Sequence, residues 1–240
     1  MIVINTRPKD LSKKINELCS LEKIELQNTH LSKIIPIKID TNNGANKKIF
    51  DNFNTYTNFI FTSRAAVENG TEFIKIKSAL LNKNHKFFAV GDSTKEALAM
   101  KGFEAIMPII KSSDGLVEMI KKSFPGQNLI ICGENTNMNL QNKLAESADE
   151  IRCYNLNYSK EFIHDISPSE AIILIYNYLT FEFIHKNLDV HLLRNKIFIV
   201  ASERIKSKIF NLVPKYDLKI LVSKSSLDVD MLETVKKIIE

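Results

Sequence analysis

Hydroxyls, guanidinium groups and glycines recur in this sequence just after short apolar runs. They stand at Asn5-Thr6-Arg7, Thr62-Ser63-Arg64, Gly91-Asp92-Ser93-Thr94, Cys132-Gly133-Glu134-Asn135, Asn177-Tyr178 and Ser202-Glu203-Arg204. Where a strand of a parallel α/β sheet hands over to a helix, free backbone N–H groups and the helix dipole favour anions. Ligands collect there, beyond the carboxyl ends of the strands. Ser63, Ser93 and Ser202 also suit helix caps, each worth about 0.5–2 kcal/mol, and capping is the competing reading at every one of them. A cap does not account for Arg7 and Arg64, because a cation at a helix start opposes the dipole. Arginine's planar fork suits a bidentate grip on carboxylate or phosphate. Anion binding is therefore expected at Arg7, Thr62, Ser63, Arg64, Gly91, Ser93, Thr94, Gly133, Asn177, Ser202 and Arg204. Gly91 and Gly133 would allow close backbone approach or a tight turn.

Tyr154, in "IRCYNLNYS", has two readings. Its ring suits packing between two halves of the molecule; its phenol suits a weak acid or a donor that orients a leaving group. Other chemistries lack their patterns. "GDSTKEALAMKG" has no GxxxxGK[ST] spacing, no GxGxxG follows a strand, and no GxSxG elbow occurs. The five histidines show no metal-ligand spacing, with His185 and His191 six apart and off one helical face. Cys19, Cys132 and Cys153 form neither a disulfide framework nor a CxxC pair, which fits a reducing cytoplasm.

Composition narrows the field further. The chain has 240 residues, 44% hydrophobic and 25% charged, a length suiting one large domain or two small ones. It has no run of about 18 apolar residues to span a membrane. "MIVINTRPKD" lacks the basic and apolar regions of a secretory signal. The net charge of +5 comes from scattered lysines. No dense basic stripe marks a nucleic-acid partner, whereas an anionic small molecule is compatible with that charge. A monomer is expected.

The elements that must carry these residues alternate. Strands are expected at Ile2–Asn5, Ile34–Ile39, Phe59–Thr62, Phe87–Val90, Ala105–Met107, Asn128–Cys132, Ile151–Leu156, Ala171–Tyr176, Lys196–Val200 and Leu218–Val222. Helical periodicity fills stretches between them, as at Lys9–Leu21, Ser113–Lys122 and Asp228–Ile239. Ser93-Thr94-Lys95-Glu96 reads as a capping box, and Ser225 with Asp228 as a weaker one. This alternation points to βαβ units and parallel sheets.

The chain also repeats itself. "NFIFTS" overlays "IILIYN" at an offset of 114 residues, "KFFAVGDST" overlays "KIFIVASER" at 110, and "KSSDGLVEMI" overlays "KSSLDVDML" at 113. "MIVINTRP" finds its counterpart late in the first unit, at "LIICGEN". Two similar domains then follow, one discontinuous (1–35 plus 158–240) and one inserted (36–157). Two crossings would join them and permit hinge motion around a cleft.

In this order, "VINTRP", "FIFTSRAAVENG", "FFAVGDSTKEALAMKGFEA", "SSDGLVEMI", "LIICGEN" and the Cys153-Tyr154 pair resemble the uroporphyrinogen-III synthase family over nearly the whole chain. The resemblance implies two flavodoxin-like parallel-sheet α/β domains joined by a two-stranded connection, a cleft between them, and no metal or organic cofactor. It implies hydroxymethylbilane as substrate, a linear tetrapyrrole with eight carboxylates. Loss of its hydroxyl gives an azafulvene; ring D attacks through its substituted carbon, and a spiro-pyrrolenine fragments and recloses as uroporphyrinogen III. Free substrate cyclises unaided to the uninverted isomer, so the protein's task is positional, an effect that can reach about 7–11 kcal/mol. Tyr154 falls on the tyrosine that the family links to loss of the hydroxyl.

Two positions depart from the family pattern. Ile175-Tyr176-Asn177 stands in place of a strand-end serine motif, and Ala201-Ser202-Glu203-Arg204 in place of a Gly-x-Thr-Thr-like turn. These departures favour the alternative reading, a non-catalytic two-domain binding module for an anionic ligand. The retained Thr62-Ser63, Gly91, Thr94 and Tyr154 favour the enzyme.

Overall fold

The computed structural model describes the chain except residues 43, 78–80, 83, 135–137, 167–169 and 240, and except the side chain of Val190. The chain opens with β1 (Ile2–Asn5), α1 (Lys13–Leu21), β2 (Leu26–Asn28) and β3 (Ser32–Pro36). There follow α2 (Gly44–Asp51), β4 (Tyr56–Phe61), α3 (Arg64–Ile76), β5 (Lys86–Ala89) and α4 (Asp92–Met100). Next come β6 (Ala105–Ile106), α5 (Ser113–Ser123), β7 (Gln127–Gly133), α6 (Asn139–Leu144) and β8 (Ala148–Tyr158). The remainder is β9 (Ala171–Ile175), α7 (Tyr178–Asn187), β10 (Ile197–Val200), α8 (Glu203–Leu212), β11 (Lys219–Val222) and α9 (Asp228–Ile239).

Two compact units result. The first comprises Met1–Ile34 with Asn157–Glu240, the second Ile35–Leu156, and the chain passes between them within β3 and within β8. The first unit's sheet runs β2-β1-β9-β10-β11 with parallel pairing throughout. That is the doubly wound 2-1-3-4-5 order, whose crevice lies where the order reverses. The second unit's sheet contains the same order, read as β8-β7-β4-β5-β6, with β3 added beside β8. It enters the pattern at the third strand, so β4 corresponds to β9 and β7 to β1. The shifted phase of the sequence repeat is this permutation.

The strands form because they are buried on both faces, which requires continuous rather than alternating apolar residues. All five residues of β9, "AIILI", are buried, as are Phe59, Ile60 and Phe61 of β4. The second unit has an apolar cluster on each sheet face, one around Phe59, Phe73 and Leu98, the other around Phe88, Leu116 and Leu140. The first unit packs around Ile173, Phe181, Phe198 and Met231.

Several boundaries differ from expectation. The strand expected at Ile34–Ile39 lies at Ser32–Pro36 and ends on a proline, which cannot donate to a ladder. The helix expected over Lys9–Leu21 is split: a 3-10 turn covers Lys9–Leu11, and Ser12 donates to the Pro8 carbonyl (3.0 Å) instead of capping α1. The expected capping box at Ser93 does not form, because α4 already starts at Asp92 with Gly91 as N-cap. β2, "LQN", is a short edge strand with no apolar run to announce it.

Candidate functional site

In the second unit the crevice lies at the ends of β4 and β7. The Thr62 N–H and hydroxyl both donate to the Ile131 carbonyl (3.1 and 3.3 Å), tying the two strand ends together. Ser63 caps α3, its Oγ accepting from the Ala66 N–H at 3.0 Å. The same Oγ shares a hydrogen bond with the Tyr154 phenol at 2.9 Å.

A bulge brings Tyr154 there. Cys132 pairs with Arg152, but Gly133 pairs with Tyr154, so β8 gains one residue on β7 at Cys153. Bulges of this kind re-aim side chains. The ring then lies against Gly133, where a Cβ would come within 2.7 Å of Tyr154 Cζ and 3.0 Å of its hydroxyl. Gly133 is thus a seat for the tyrosine.

Arg64 opens α3 half-buried. Its Nε is buried without a hydrogen-bond partner, and it stands 4.0 Å from Glu68 Oε1, while Lys101 approaches Oε2 of the same carboxylate at 3.3 Å. So long a contact leaves the guanidinium capacity for another anion. Gly91 is extended (φ −155) and an added Cβ would touch nothing, so neither strain nor packing requires a glycine there. Ser93 and the buried Thr94 lie inside α4, and the Thr94 N–H bonds the Gly91 carbonyl at 3.1 Å. Asp92 is paired with Lys111 at 2.8 Å. Glu134 is exposed, and Asn135 lies outside the described residues.

The first unit's crevice, at the ends of β1 and β9, is filled from within. Arg7 was expected to offer an open grip; instead its Nη1 meets Asp228 Oδ1 at 2.6 Å, with the two side chains 8% and 4% exposed. The guanidinium stacks 3.8 Å over the Tyr176 ring, and the Tyr176 phenol donates to the same Oδ1 at 2.7 Å. Burial, reinforced by Asp228, pushes the Tyr176 phenol well above its ordinary value, against the opposing pull of Arg7. Breaking a buried pair of this kind by removing one partner costs about 3–5 kcal/mol.

Asn177 caps α7, its Oδ1 accepting from the Thr180 N–H at 2.9 Å, so asparagine does at α7 what Ser63 does at α3. Tyr158 donates to that Oδ1 at 3.3 Å and stacks on Phe183. Its phenol is pushed up by burial. Ser202 caps α8 through the Ile205 N–H (3.4 Å), and Arg204 is exposed in the first turn of that helix. The structure therefore gathers Thr62, Ser63, Gly133 and Tyr154 into one crevice, with Gly91 at the end of the neighbouring strand β5. Arg7 belongs to a different, closed arrangement.

Sequence reasoning missed Asp228 as the partner of Arg7, since the two are 221 residues apart and Asp228 resembles an ordinary first-turn acid. Thiol chemistry is suppressed: burial pushes Cys132 and Cys153 up to about 12 and Cys19 up to about 11. Among the described residues no His/Cys/Asp/Glu group could hold a metal ion.

Two doubly wound units of one strand order, with hydroxyl, phenol and helix amino end gathered at a strand end of the second, define a two-unit α/β protein. The chain belongs to the uroporphyrinogen-III synthase family: the family described as uroporphyrinogen-III synthase HemD matches residues 31–219. The family's members are cyclising lyases of tetrapyrrole biosynthesis and act on a small tetrapyrrole. The fold is similar to that of a mutant uroporphyrinogen III synthase from Thermus thermophilus, with TM-score 0.66 and 13% identity over 100% of this chain and 98% of that one. It is also similar to uroporphyrinogen-III synthetase from Helicobacter pylori, with TM-score 0.59 and 12% identity over 98% of each chain. A sequence search of curated proteins found no match. Among the described residues no helix is long and apolar enough to cross a membrane.

Proposed function

We propose that the second unit's crevice binds hydroxymethylbilane and that Tyr154 assists departure of its hydroxyl as water, after which the macrocycle closes with ring D inverted. The observation that carries this reading is the Tyr154 phenol, fixed at 2.9 Å from Ser63 Oγ at the switch point of the second unit. A phenol so placed is a donor for a leaving hydroxyl and a poor base, which suits loss of water from an already activated pyrrole. Carboxylates of the substrate would be taken by Arg64 and by the amino ends of α3 and α4, with the open face above Gly91 admitting a close approach. Thr62, Ser93, Thr94 and Gly133 shape that surface. Asn177, Ser202 and Arg204 offer a lesser set of contacts in the first unit.

The two compact units would be the discontinuous and the inserted domain of a monomer working in the cytoplasm. The experiment that tests the reading supplies hydroxymethylbilane from the preceding enzyme and identifies the isomer formed. Uroporphyrinogen III is expected. Isomer I alone, in the presence of folded protein, would leave a binding module and overturn the enzyme.

A further inference from the structure

Arg7 stands where the first unit should receive an anion, just after β1 and at the point where strand order reverses. A carboxylate is already there, from the first residue of α9. Tyr176, the residue after β9, adds its ring beneath the guanidinium and its phenol on the same oxygen. Both strand ends that flank the crevice are therefore turned toward one internal carboxylate. The second unit is built otherwise: the nearest carboxylate oxygen to Arg64 is at 4.0 Å, and its Nε is left without a partner.

We propose that Asp228 is a built-in occupant of the first unit's anion crevice, excluding substrate carboxylates from Arg7 and leaving the main carboxylate recognition to the second unit. The proposal rests on the reading of the substrate as a polycarboxylate held at strand ends. Discharging Asp228 while keeping its shape should leave the Arg7 guanidinium open to an outside anion.

The test uses sulfate at low millimolar concentration, against chloride of equal ionic strength, as an anion probe read by thermal unfolding. Asp228→Asn keeps the side-chain shape and discharges it. It is expected to gain a sulfate-dependent rise in melting temperature beyond that of the parent protein, and Arg7→Met added to it is expected to abolish the gain. An equal sulfate response in the parent and in Asp228→Asn overturns the proposal. In a second arm, Arg7→Met with Asp228→Leu replaces the pair by apolar groups. If it melts cooperatively, its KM for hydroxymethylbilane should stay within about two-fold of the parent, whereas Arg64→Ala should raise KM about ten-fold with a smaller change in kcat. A folded double variant with a KM raised as much as that of Arg64→Ala overturns the proposal. Should the double variant fail to fold, the sulfate comparison decides alone. That comparison is independent of turnover, so failure to form isomer III would strike the proposed function without deciding this one.

Discussion

Tyr154 reaches Ser63 because β8 gains one residue on β7 at Cys153, and because the facing residue has no side chain. Tyr154→Phe removes the hydroxyl and keeps the ring. It should lower kcat about ten-fold, short of the roughly 100-fold or more of a committed general acid, with little change in KM. Gly133→Ala tests the seat beneath the ring. Its Cβ would fall 2.7 Å from Tyr154 Cζ, the far end of a movable side chain, so the ring should swing away at little cost in stability. Activity should drop to the level of Tyr154→Phe, and the two substitutions together should be no worse than either, the signature of residues acting as one unit. Fully additive losses in steady-state kinetics would show that Gly133 acts on something else. Of this arrangement the sequence disclosed the participants: a glycine at the end of β7, a serine after β4, a tyrosine on a later strand. It did not disclose their meeting, since a bulge is a matter of register between strands that no single strand announces.

At the scale of elements, α3 and α7 occupy equivalent places and solve the same problem with different residues. Ser63 and Asn177 each accept from the N–H three residues on, and each also meets a tyrosine of β8. Ser63 carries two duties, which a substitution can separate. Glycine keeps most of a cap, at a cost of only a few tenths of a kcal/mol, but has no hydroxyl. Ser63→Gly should therefore melt close to the parent while kcat falls as in Tyr154→Phe; Ser63→Ala should lose both rate and about 1 kcal/mol of stability. A full rate in Ser63→Gly would free Tyr154 from dependence on Ser63. The caps at Ser63 and Ser202 were legible because each follows an apolar strand directly. The box at Ser93 misled because Gly91 and Asp92 begin the helix earlier than the pattern allows. Arg7 misled for a physical reason of another kind: an arginine at a strand end has the same sequence signature whether its anion is a ligand or an aspartate 221 residues away.

For the molecule as a whole, buried thiols set a limit at high pH. Cys19 lies in the first unit, Cys132 and Cys153 in the second, and burial raises each from the ordinary 9.0 to about 11, 12 and 12. A group raised on folding lends stability below its unfolded value and withdraws it as pH climbs through the folded value. Stability from this source should hold to about pH 9 and decline toward pH 11–12, followed by circular dichroism across an alkaline titration. At neutral pH the native protein should resist iodoacetamide, and all three cysteines should alkylate after unfolding. Rapid native labelling would show that one of them is not sealed. Strand positions in both units were readable to the extent that parallel strands are continuous apolar runs, as "AIILI" is; β2 was not, because "LQN" holds its place by position rather than composition.

The central place of β1 in its sheet, between β2 and β9, carries a consequence in time. During synthesis β1 can pair on one side with β2 early, but its other partner begins at Ala171. At about 5–20 residues per second, that wait is roughly 10–30 s. Meanwhile all the strands from β4 to β7 have been made, and β8 is complete shortly before β9 begins. The nascent chain thus holds the buried Val3 and Ile4 on a strand with one bare edge while its middle assembles, an interval in which such an edge invites a wrong partner. β1 is made well before β9, and only β9 closes its second side.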